Sequence, residues 1–349
     1  MHLLRAFKYL SPLSFYLLAF IAFSSNGWYC WLPLMYSMVL IPLLELFLQP
    51  DTHNLEEAAT VIARNNRAYD FLLYIILPLQ YGALFYFLFS LQAMPVEGVS
   101  LAGRIGSMGM LCGTFGINVA HELGHRVKPF ERIMAKALLA TSLYMHFYIE
   151  HNKGHHKLVA THEDPSSARK NEMIYTFFFR TIIFSYLSAW NIANKDCVKK
   201  QLKPWSFYNE MIQAHLLQLA LLLCVGLVFG WMILCCFIIS ATIGILLLEM
   251  VNYIEHYGLS RKKTSDGHYE RAMPHHSWNS DHPLGRIMLF ELTRHSDHHY
   301  LASKKYQVLD HHKNAPQLPT GYPGSMLLSL IPPLWFRIMN KKISALEHA

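Results

Sequence analysis

The chain contains 349 residues, of which 53% are hydrophobic and only 15% are charged, and its mean hydropathy is +0.20. This composition excludes a disordered chain and argues against a water-soluble domain, while 18 glycines and six scattered cysteines exclude a collagen-like repeat and a disulfide-stapled scaffold. The formal charge is +7, and the 21 histidines are an unusually large number. We therefore expect an all-α integral membrane protein in which histidines carry the function.

Six apolar segments are each close to the ~20 residues that a helix needs to cross ~30 Å of hydrocarbon. They pair into three hairpins and occupy residues 12–31, 32–48, 71–94, 101–120, 212–229 and 231–251. Arg5 and Lys8 precede the first segment as they would in a signal peptide, but the second segment follows at once and favours an uncleaved helix. We predict six transmembrane helices in a single membrane domain, residues 1–349.

Basic residues are distributed unevenly between the two sides of this predicted membrane domain. The loops at 24–30, 93–100 and Gly230 contain no Lys or Arg, whereas the opposite side carries nearly all of them. The positive-inside rule makes that basic side cytoplasmic, so we expect an inner-membrane protein. Nearly all histidines fall in its two long segments, 121–210 and 252–349, which are the predicted catalytic segments.

Three other apolar stretches are not expected to span the membrane. A single crossing by residues 133–149 would put the histidines that flank this stretch on opposite sides, so we expect it to re-enter or to lie along the interface. The stretch at 174–190 should do the same, because Arg180 at its centre is costly in lipid. Residues 327–339 are too few and are interrupted by two prolines.

Small residues dominate one part of the fourth predicted span. Its glycines recur at intervals of three and four, which places them on one narrow face of a helix. They are Gly103, Gly106, Gly109, Gly113 and Gly116. This pattern predicts close packing against neighbouring helices.

The first histidine cluster, His121-Glu122-Leu123-Gly124-His125, lies where the fourth span leaves the bilayer. Histidines at positions i and i+4 share one helix face, so both imidazoles can reach one metal ion. The same residues satisfy the H-E-x-x-H pattern of zinc peptidases. This cluster alone therefore leaves a zinc protease open.

The second cluster contains His151, His155 and His156. On a regular helix, His151 and His155 share a face, while His156 is rotated by ~100° from His155. An adjacent pair that points in two directions suits two metal ions better than one.

Two further segments add four histidines. His256 lies where the sixth span emerges, opposite the end of the fourth, and His295, His298 and His299 follow each other at helical spacing. The clusters together supply nine imidazoles on one side of the membrane, which exceeds the capacity of one metal ion and fits two. Imidazole accepts zinc, copper, iron or nickel, so the ligand type alone does not name the metal.

Carboxylates within the same motifs can offset the charge of two divalent ions. Glu122, Glu255 and Asp297 are the candidates. We expect Glu255 and Asp297 to accept a ring N–H from a metal-binding histidine and to fix its orientation. The alternative roles are capping a helix or pairing with Arg126 or Arg294.

The motifs HELGHR at 121–126, EHNKGHH at 150–156, NYIEHYGL at 252–259 and RHSDHH at 294–299 resemble, in order and spacing, those of the integral-membrane alkane 1-monooxygenases. The resemblance includes the segments LVATHEDPSSAR at 158–169, HHSWNSDH at 275–282 and APQLPTGY at 315–322, and it covers roughly residues 30–340. Xylene monooxygenases and membrane fatty-acid desaturases share a polyhistidine plan. The spacing of the second motif and the NYIEHYGL block are more similar to the alkane enzymes.

The resemblance implies a histidine-ligated di-iron enzyme that uses O2 to hydroxylate the terminal carbon of medium-chain n-alkanes. The implied iron ligands are His121, His125, His151, His155, His156, His256, His295, His298 and His299. Electrons would come from a rubredoxin, which a reductase reduces in turn; no nucleic acid is expected as a partner. Because the chain has neither a pair of C-x-x-C motifs nor a G-x-G-x-x-G motif, both electron carriers must be separate chains.

One departure from the family pattern is the doublet His311-His312, in a segment where the family more often has one histidine beside an aromatic residue. We expect neither histidine to bind metal. A set of basic residues would suit docking of an acidic electron carrier, although attraction to anionic lipid explains it equally well. These residues are Arg126, Lys128, Arg132, Lys136, Arg261, Lys262, Lys263, Lys304 and Lys305.

Other functions remain open from the sequence. An enzyme of this kind could act on another apolar chain, such as an alkylbenzene or a fatty acyl group. A membrane metal transporter would place its ligands near mid-bilayer, where the predicted spans contain only His215, near one end. A zinc protease built on residues 121–125 leaves seven histidines without a role.

Overall fold

The structure is a computed structural model that describes residues 2–93 and 98–347. Within these residues it is helical, and no β-strand is present. The main helices are α1 (Arg5–Ser24), α2 (Gly27–Glu45), α3 (Glu57–Asn65), α4 (Arg67–Ala93), α5 (98–124), α6 (Pro129–Ala140), α7 (147–158), α8 (Ile174–Lys199), α9 (Glu210–Phe229), α10 (Trp231–His256), α11 (Pro283–Met288), α12 (His295–Tyr300), α13 (Tyr322–Ser329) and α14 (Pro332–Glu347). The described residues exclude Met1, residues 94–97 and the last two residues of the predicted domain. The end of the third predicted span and half of the loop at 93–100 therefore lie outside them.

Five helices are long and apolar enough to cross a membrane: α1, α2, α4, α9 and α10. They correspond to five of the six predicted spans. The turn of the first hairpin lies at Ser25-Asn26, inside the loop predicted at 24–30, whereas the limit drawn between the two apolar segments at 31–32 lies too far along the chain. Ser25 and Asn26 have an extended backbone and Gly27 has a φ of 66°, which ends α1 before α2 begins.

The fourth predicted span is α5, which is not among these five candidates in the described part of the chain. It is a continuous helix of suitable length, but its glycines and serines and the buried Arg104 lower its hydropathy. The guanidinium of Arg104 donates to the carbonyl oxygens of Ser25 (2.7 Å) and Ser90 (2.9 Å), at the ends of α1 and α4. These bonds satisfy the charge inside the helix bundle.

The glycines of α5 allow close packing, as predicted, but they serve several neighbours rather than one. A Cβ added at Gly103 would lie 2.7 Å from Cys30 and Trp31 of α2, and one added at Gly109 would lie 2.6 Å from Ile243 of α10. The expectation of a single narrow face was therefore wrong. A π-helical segment, Cys112–Ile117, changes the direction of the side chains within α5.

The two central apolar stretches are not among the candidate spans in the described residues. The first is split, because α6 ends at Ala140 and Leu143 has a φ of 52° before α7 begins. The second forms the 26-residue helix α8, where Arg180 pairs with Glu172 at 2.6 Å. Residues 327–339 are divided between α13 and α14, as their prolines predict.

Candidate metal centre

The structure brings all nine predicted imidazoles together in two adjacent groups. In each group, the nitrogen atoms that could bind a metal lie within 4.8 Å of one another. The five-histidine group consists of His121, His125, His151, His156 and His298, and the four-histidine group consists of His155, His256, His295 and His299. The helices α5, α7, α10 and α12 supply them, so four distant stretches of chain converge on one site.

In the five-histidine group, the Nε2 atoms face one another. Their separations are 2.9 Å for His121–His298, 3.2 Å for His125–His151, 3.0 Å for His151–His156 and 3.1 Å for His156–His298. Nitrogen ligands placed ~2.1 Å from a shared metal ion and next to each other in its coordination shell are separated by similar distances. The lone pairs of these rings can therefore be directed at one cation.

The four-histidine group is more deeply buried. Its Nε2 atoms are separated by 3.3 Å in the pair His155–His299 and again in the pair His256–His295. A carboxylate lies beside this group, since Glu255 Oε2 is 3.1 Å from His295 Nε2. The four imidazoles are therefore the donors of this group, with one carboxylate next to them.

A π-helical segment explains how α7 serves both groups. Residues His151–His155 are π-helical, and this wider turn places His151 and His156, five residues apart, in the same group. His155 turns toward the other group. The expectation that His151 and His155 share a face was wrong, because it assumed 3.6 residues per turn.

The adjacent doublets divide between the groups, as predicted. His155 and His156 separate in α7, and His298 and His299 separate in α12. In α12 the i and i+4 pair His295 and His299 stays together, and so does the pair formed by the two histidines of the first motif. Regular helical spacing therefore predicts these two i and i+4 pairs, but the expectation that His298 shares a face with His295, three residues earlier, was wrong.

Asp164 is the carboxylate that supports a metal-facing ring, and sequence reasoning did not select it. The Nδ1–H of His155 donates to Asp164 Oδ2 at 2.9 Å, which leaves Nε2 directed at the four-histidine group. The hydroxyl of Ser167 (2.6 Å) and the backbone N–H of Ser166 (3.1 Å) hold the carboxylate. The signal in the sequence was an Asp followed by Pro-Ser-Ser, which favours a turn in which serines donate to that Asp.

The pKa values of this pair reflect their contact. Burial lowers the pKa of the His155 imidazole, but the carboxylate of Asp164 outweighs it and the pKa is raised overall. Burial raises the pKa of Asp164, and His155 and the Ser167 hydroxyl reverse this effect, so the pKa is lowered. The pair is therefore a charge-assisted contact inside the protein.

Burial keeps other metal-facing imidazoles neutral. The pKa of His125 falls to about 3 because burial removes the ring from water and because His155 and Arg126 are nearby positive groups. The neutral ring is the form that binds metal ions. His125 therefore has its metal-binding form at physiological pH.

The two carboxylates that the sequence selected have other partners. Asp297 accepts from His312 Nε2 (2.7 Å), from Lys304 (2.7 Å) and from the backbone N–H of Asp310 (2.8 Å), so its expected bond to a metal-facing ring is not found among the described contacts. Glu255 contacts Nε2 of His295, the nitrogen that faces the metal site. It does not accept from Nδ1, the nitrogen that was expected to donate to it.

Two other side chains in this region make contacts that the sequence left open. Glu122 pairs with Arg126 at 2.6 Å, which was the alternative role considered for it. The Nδ1–H of His311 donates to Asp281 at 2.8 Å, and neither His311 nor His312 belongs to the two groups.

A largely apolar cavity, part of which is open to the surroundings, adjoins the two groups. Three metal-facing histidines, His121, His151 and His295, are among its lining residues. The apolar walls come from α1, α2, α5 and α10 and include Phe15, Met38, Ile41, Met110, Leu248 and Val251. An apolar molecule in this cavity would lie next to the metal site.

The sequence profile of the fatty acid desaturase family matches residues 102–326, the part that contains all four histidine motifs. The chain belongs to the fatty acid desaturase family. Within it, the chain is 38% identical over 327 residues to the alkane 1-monooxygenase of Ectopseudomonas oleovorans, covering 92% of this chain and 80% of that protein. It is 42% identical over 282 residues to alkane 1-monooxygenase 1 of Pseudomonas aeruginosa, covering 76% and 74%.

A more distant relative is the hydroxylase component of the xylene/toluene monooxygenase of Pseudomonas putida, at 31% identity over 271 residues, 77% of this chain and 72% of that protein. These relatives confirm the resemblance seen in the motifs. The protein is a metal-binding, multi-pass membrane monooxygenase. The zinc-protease hypothesis fails to explain why the structure joins the two histidines of the first motif with three others.

Proposed function

We propose that the protein hydroxylates the terminal carbon of medium-chain n-alkanes at a di-iron centre held by the nine histidines. The observation that carries the proposal is the pair of imidazole groups beside an apolar cavity that three of these histidines line. The overall reaction is R–CH3 + O2 + 2 electrons + 2 H⁺ → R–CH2OH + H2O. One oxygen atom enters the product and the other is reduced to water.

The donor set fits two iron ions. Neutral imidazoles in groups of five and four, with one carboxylate, suit divalent ions of intermediate softness. Iron is chosen because oxidation of an unactivated C–H bond needs a redox-active metal, and Zn²⁺ has no redox chemistry. When bound, iron would activate O2; the residues of the chain hold the ions, exclude water from the buried group and admit one end of the substrate.

An alkane has no polar group, so only apolar walls can hold it. The lining of the cavity supplies mostly apolar walls, and its polar members are the three imidazoles with Ser37, Thr114, Asn118, Asn252 and Glu255. An alkane that lies in the cavity with one end toward the imidazoles would present its terminal carbon first, which favours terminal oxidation. The relative that is named for xylene and toluene makes a methyl group on an aromatic ring the alternative substrate.

We infer six transmembrane helices, with α5 as the fourth, and a site on the cytoplasmic side of the inner membrane. The support is that Arg126, just after α5, contacts Asp70, at the start of α4, at 3.2 Å. If α4 and α5 both cross the membrane in opposite directions, the start of α4 and the end of α5 lie on the same side, as this contact requires. The basic segments that surround the site favour the cytoplasmic side by the positive-inside rule.

The proposed electron donor is a rubredoxin on a separate chain, reduced by its own reductase. His125 and His156 are only half-buried, so the five-histidine group lies nearest the surface. Of the basic residues that the sequence selected, Lys128, Arg132, Lys262 and Lys263 are exposed and suit docking of an acidic carrier. The others are less available: Arg126, Lys136, Lys304 and Lys305 are in ion pairs, and Arg261 donates to backbone carbonyls.

The test combines metal analysis with a turnover assay on one preparation. We expect about two irons per chain and conversion of octane to 1-octanol with O2 and reduced rubredoxin, measured by gas chromatography. His298→Ala should lose iron and activity, whereas His275→Ala, which changes an exposed histidine outside both groups, should keep them. Absence of 1-octanol from iron-loaded protein would defeat the proposal, and preferential turnover of xylene in a substrate panel would favour the alternative.

A further inference from the structure

Helix α8 exposes one continuous stripe along its whole length. The exposed side chains recur at every fourth residue. Neighbouring members therefore adjoin on the helix surface, and the row winds around the helix by ~40° at each step. They are Tyr175, Phe179, Ile183, Leu187, Asn191, Lys195 and Lys199. The first four are apolar and the last three are polar or basic, so the character of the stripe changes once, near residue 190.

The apolar half of this stripe is strongly exposed, with 74% of Phe179 and 52% each of Ile183 and Leu187 accessible. The opposite face of α8 is buried. Ala189 packs with Ile149 of the second histidine motif, and Phe177 packs with Tyr253 of α10. An exposed apolar row on a well-packed helix needs a cover that the described residues do not supply.

The loop after α8 continues the same surface. It contains three aromatic side chains that are more than two-thirds exposed, Trp205 (81%), Phe207 (77%) and Tyr208 (71%). Glu210 then begins α9, a candidate membrane span of which only 11% is buried inside the protein. Aromatic side chains that border a lipid-facing span are typical of the membrane–water interface.

Unpaired positive charge accompanies these aromatic residues. Lys195, Lys199, Lys200 and Lys203 are exposed, and none of them has an ion-pair partner among the described residues. Nearby lysines behave differently, since Lys153 pairs with both Asp196 and Glu210. The four free ammonium groups therefore form a local excess of positive charge next to an apolar surface.

We propose that α8 and the loop at 200–208 form a binding site for anionic phospholipid. The stripe from Tyr175 to Leu187 lies among the acyl chains, and the four lysines contact headgroup phosphates. Continuity with the lipid-facing α9 and the complementary charge identify the occupant as lipid rather than as another protein. This site is independent of the identity of the oxidised substrate.

Lipid at this site would act on the metal centre through packing. The buried face of α8 supports α7, where Lys153 pairs with Asp196 of α8 at 2.7 Å and Gly154 lies against Ile192. This part of α7 is the π-helical segment that positions His151 and His155. We therefore expect protein without anionic lipid to release its metal faster.

The binding test uses the full-length protein in detergent with phosphatidylglycerol as the probe and native mass spectrometry as the readout. The variant K195Q/K199Q/K200Q/K203Q should bind phosphatidylglycerol at least about tenfold more weakly than the wild type. The matched control R64Q/R67Q/K313Q/K341Q removes the same charge from exposed basic residues elsewhere and should bind it as the wild type does. The wild type and the control should bind phosphatidylcholine more weakly than phosphatidylglycerol. The variant K195Q/K199Q/K200Q/K203Q should not distinguish the two lipids.

The position of the loop is tested separately in nanodiscs with brominated phosphatidylglycerol, which quenches nearby tryptophan. Trp205→Phe should remove part of the quenching that the wild type shows. Equal retention of the lipid by the two quadruple variants, or no change in quenching on Trp205→Phe, would overturn the proposal. A third outcome would also overturn it: the wild type is a dimer in solution and the double variant Phe179→Ser/Leu187→Ser is a monomer. In that case a second copy of the chain covers the stripe.

Discussion

At the residue scale, each imidazole has one nitrogen that faces the metal site and one that faces away. The hydrogen bonds of the nitrogen that faces away decide how firmly the site holds a metal. Asp164 fixes the ring of His155 by accepting its Nδ1–H, so that Nε2 points into the four-histidine group. By contrast, the Nδ1 atoms of His256 and His295 are buried and have no partner among the described residues. Orientation in that group therefore depends strongly on one carboxylate.

We expect Asp164→Asn to lower metal affinity by about 10- to 100-fold, because the amide keeps the shape of the side chain but loses the charge that supports the ring. The measurement is iron content after dialysis against graded concentrations of a chelator. Asp266→Asn is the control, since Asp266 lies on the surface away from both groups. Equal iron retention by the two variants would contradict this role for Asp164.

His312 is expected to support α12 without binding metal. It donates to the buried Asp297 at 2.7 Å, and its ring lies 5.8 Å from that of Tyr300. His312→Phe keeps the ring contact and removes one bond to a buried carboxylate, which should lower the free energy of unfolding by about 1–3 kcal/mol.

The measurements for His312→Phe are thermal unfolding and iron content on the same sample. Iron per chain should stay at the wild-type value, because Asp297 keeps its bonds to Lys304 and Asp310. Loss of one iron ion would show instead that His312 is a ligand.

At the scale of the elements, the contact between α5 and α10 sets the distance between the histidines at their ends. The backbones approach closely because Gly244 faces Cys112 and Gly113. This contact lies next to the π-helical segment of α5 and beside the cavity, whose walls include residues of both helices. The packing of these two helices therefore shapes the substrate path as well as the metal site.

Gly244→Ala should destabilise the protein by about 1–3 kcal/mol, because the added Cβ meets Cys112 Cβ at 2.6 Å and the backbone nitrogen of Gly113 at 3.0 Å in a packed interface. Thermal unfolding and iron content measure the effect, and both should fall. Gly82→Ala is the control: it has no atom within 4 Å of the added Cβ, and alanine is the better helix former. A variant at Gly244 that unfolds as the control does would argue against tight α5–α10 packing.

At the scale of the whole molecule, the N-terminus is tied to the fourth histidine motif. The buried carboxylate of Glu291 accepts from Lys8 (2.9 Å) and Tyr9 (2.6 Å) of α1 and from Arg286 of α11 (2.7 Å). Burial raises the pKa of Glu291, but Lys8 and Arg286 outweigh it and lower the pKa to about 2. These bonds join the first helix to the segment that leads into α12.

Glu291→Gln should lower the free energy of unfolding by about 1–3 kcal/mol near neutral pH, because it removes the buried anion that Lys8 and Arg286 share, although Arg286 keeps Asp51 at 3.3 Å. The pKa of Glu291 is lower in the folded than in the unfolded protein, so its contribution is full above pH ~4.5 and is lost as the pH falls toward 2. The difference in unfolding temperature between wild type and variant should therefore shrink across that range. A difference that does not change with pH would contradict the charge-based explanation.

The sequence by itself determined the membrane character, five of the spans and the identity of the nine histidines. These features depend on composition and on local spacing, which a chain carries before it folds. The sequence also predicted that residues 133–149 and 174–190 do not span the membrane. The first prediction followed from the histidines on both sides of the stretch, which a single crossing would separate, and the second followed from Arg180. The turn of the first hairpin was predicted from the loop at 24–30, but hydropathy alone drew the limit between its two apolar segments too far along the chain, at 31–32.

Only the tertiary structure decided how the histidines divide and which carboxylates serve them. The π-helical turn at 151–155 changes the helical period, so a spacing rule based on 3.6 residues assigned His155 to the wrong partner. Asp297 lies next to His298 in sequence and Asp164 lies eight residues after His156, yet only Asp164 contacts a metal-facing ring. The physical reason is that a hydrogen bond depends on the direction of both groups in space, which packing fixes and sequence distance does not.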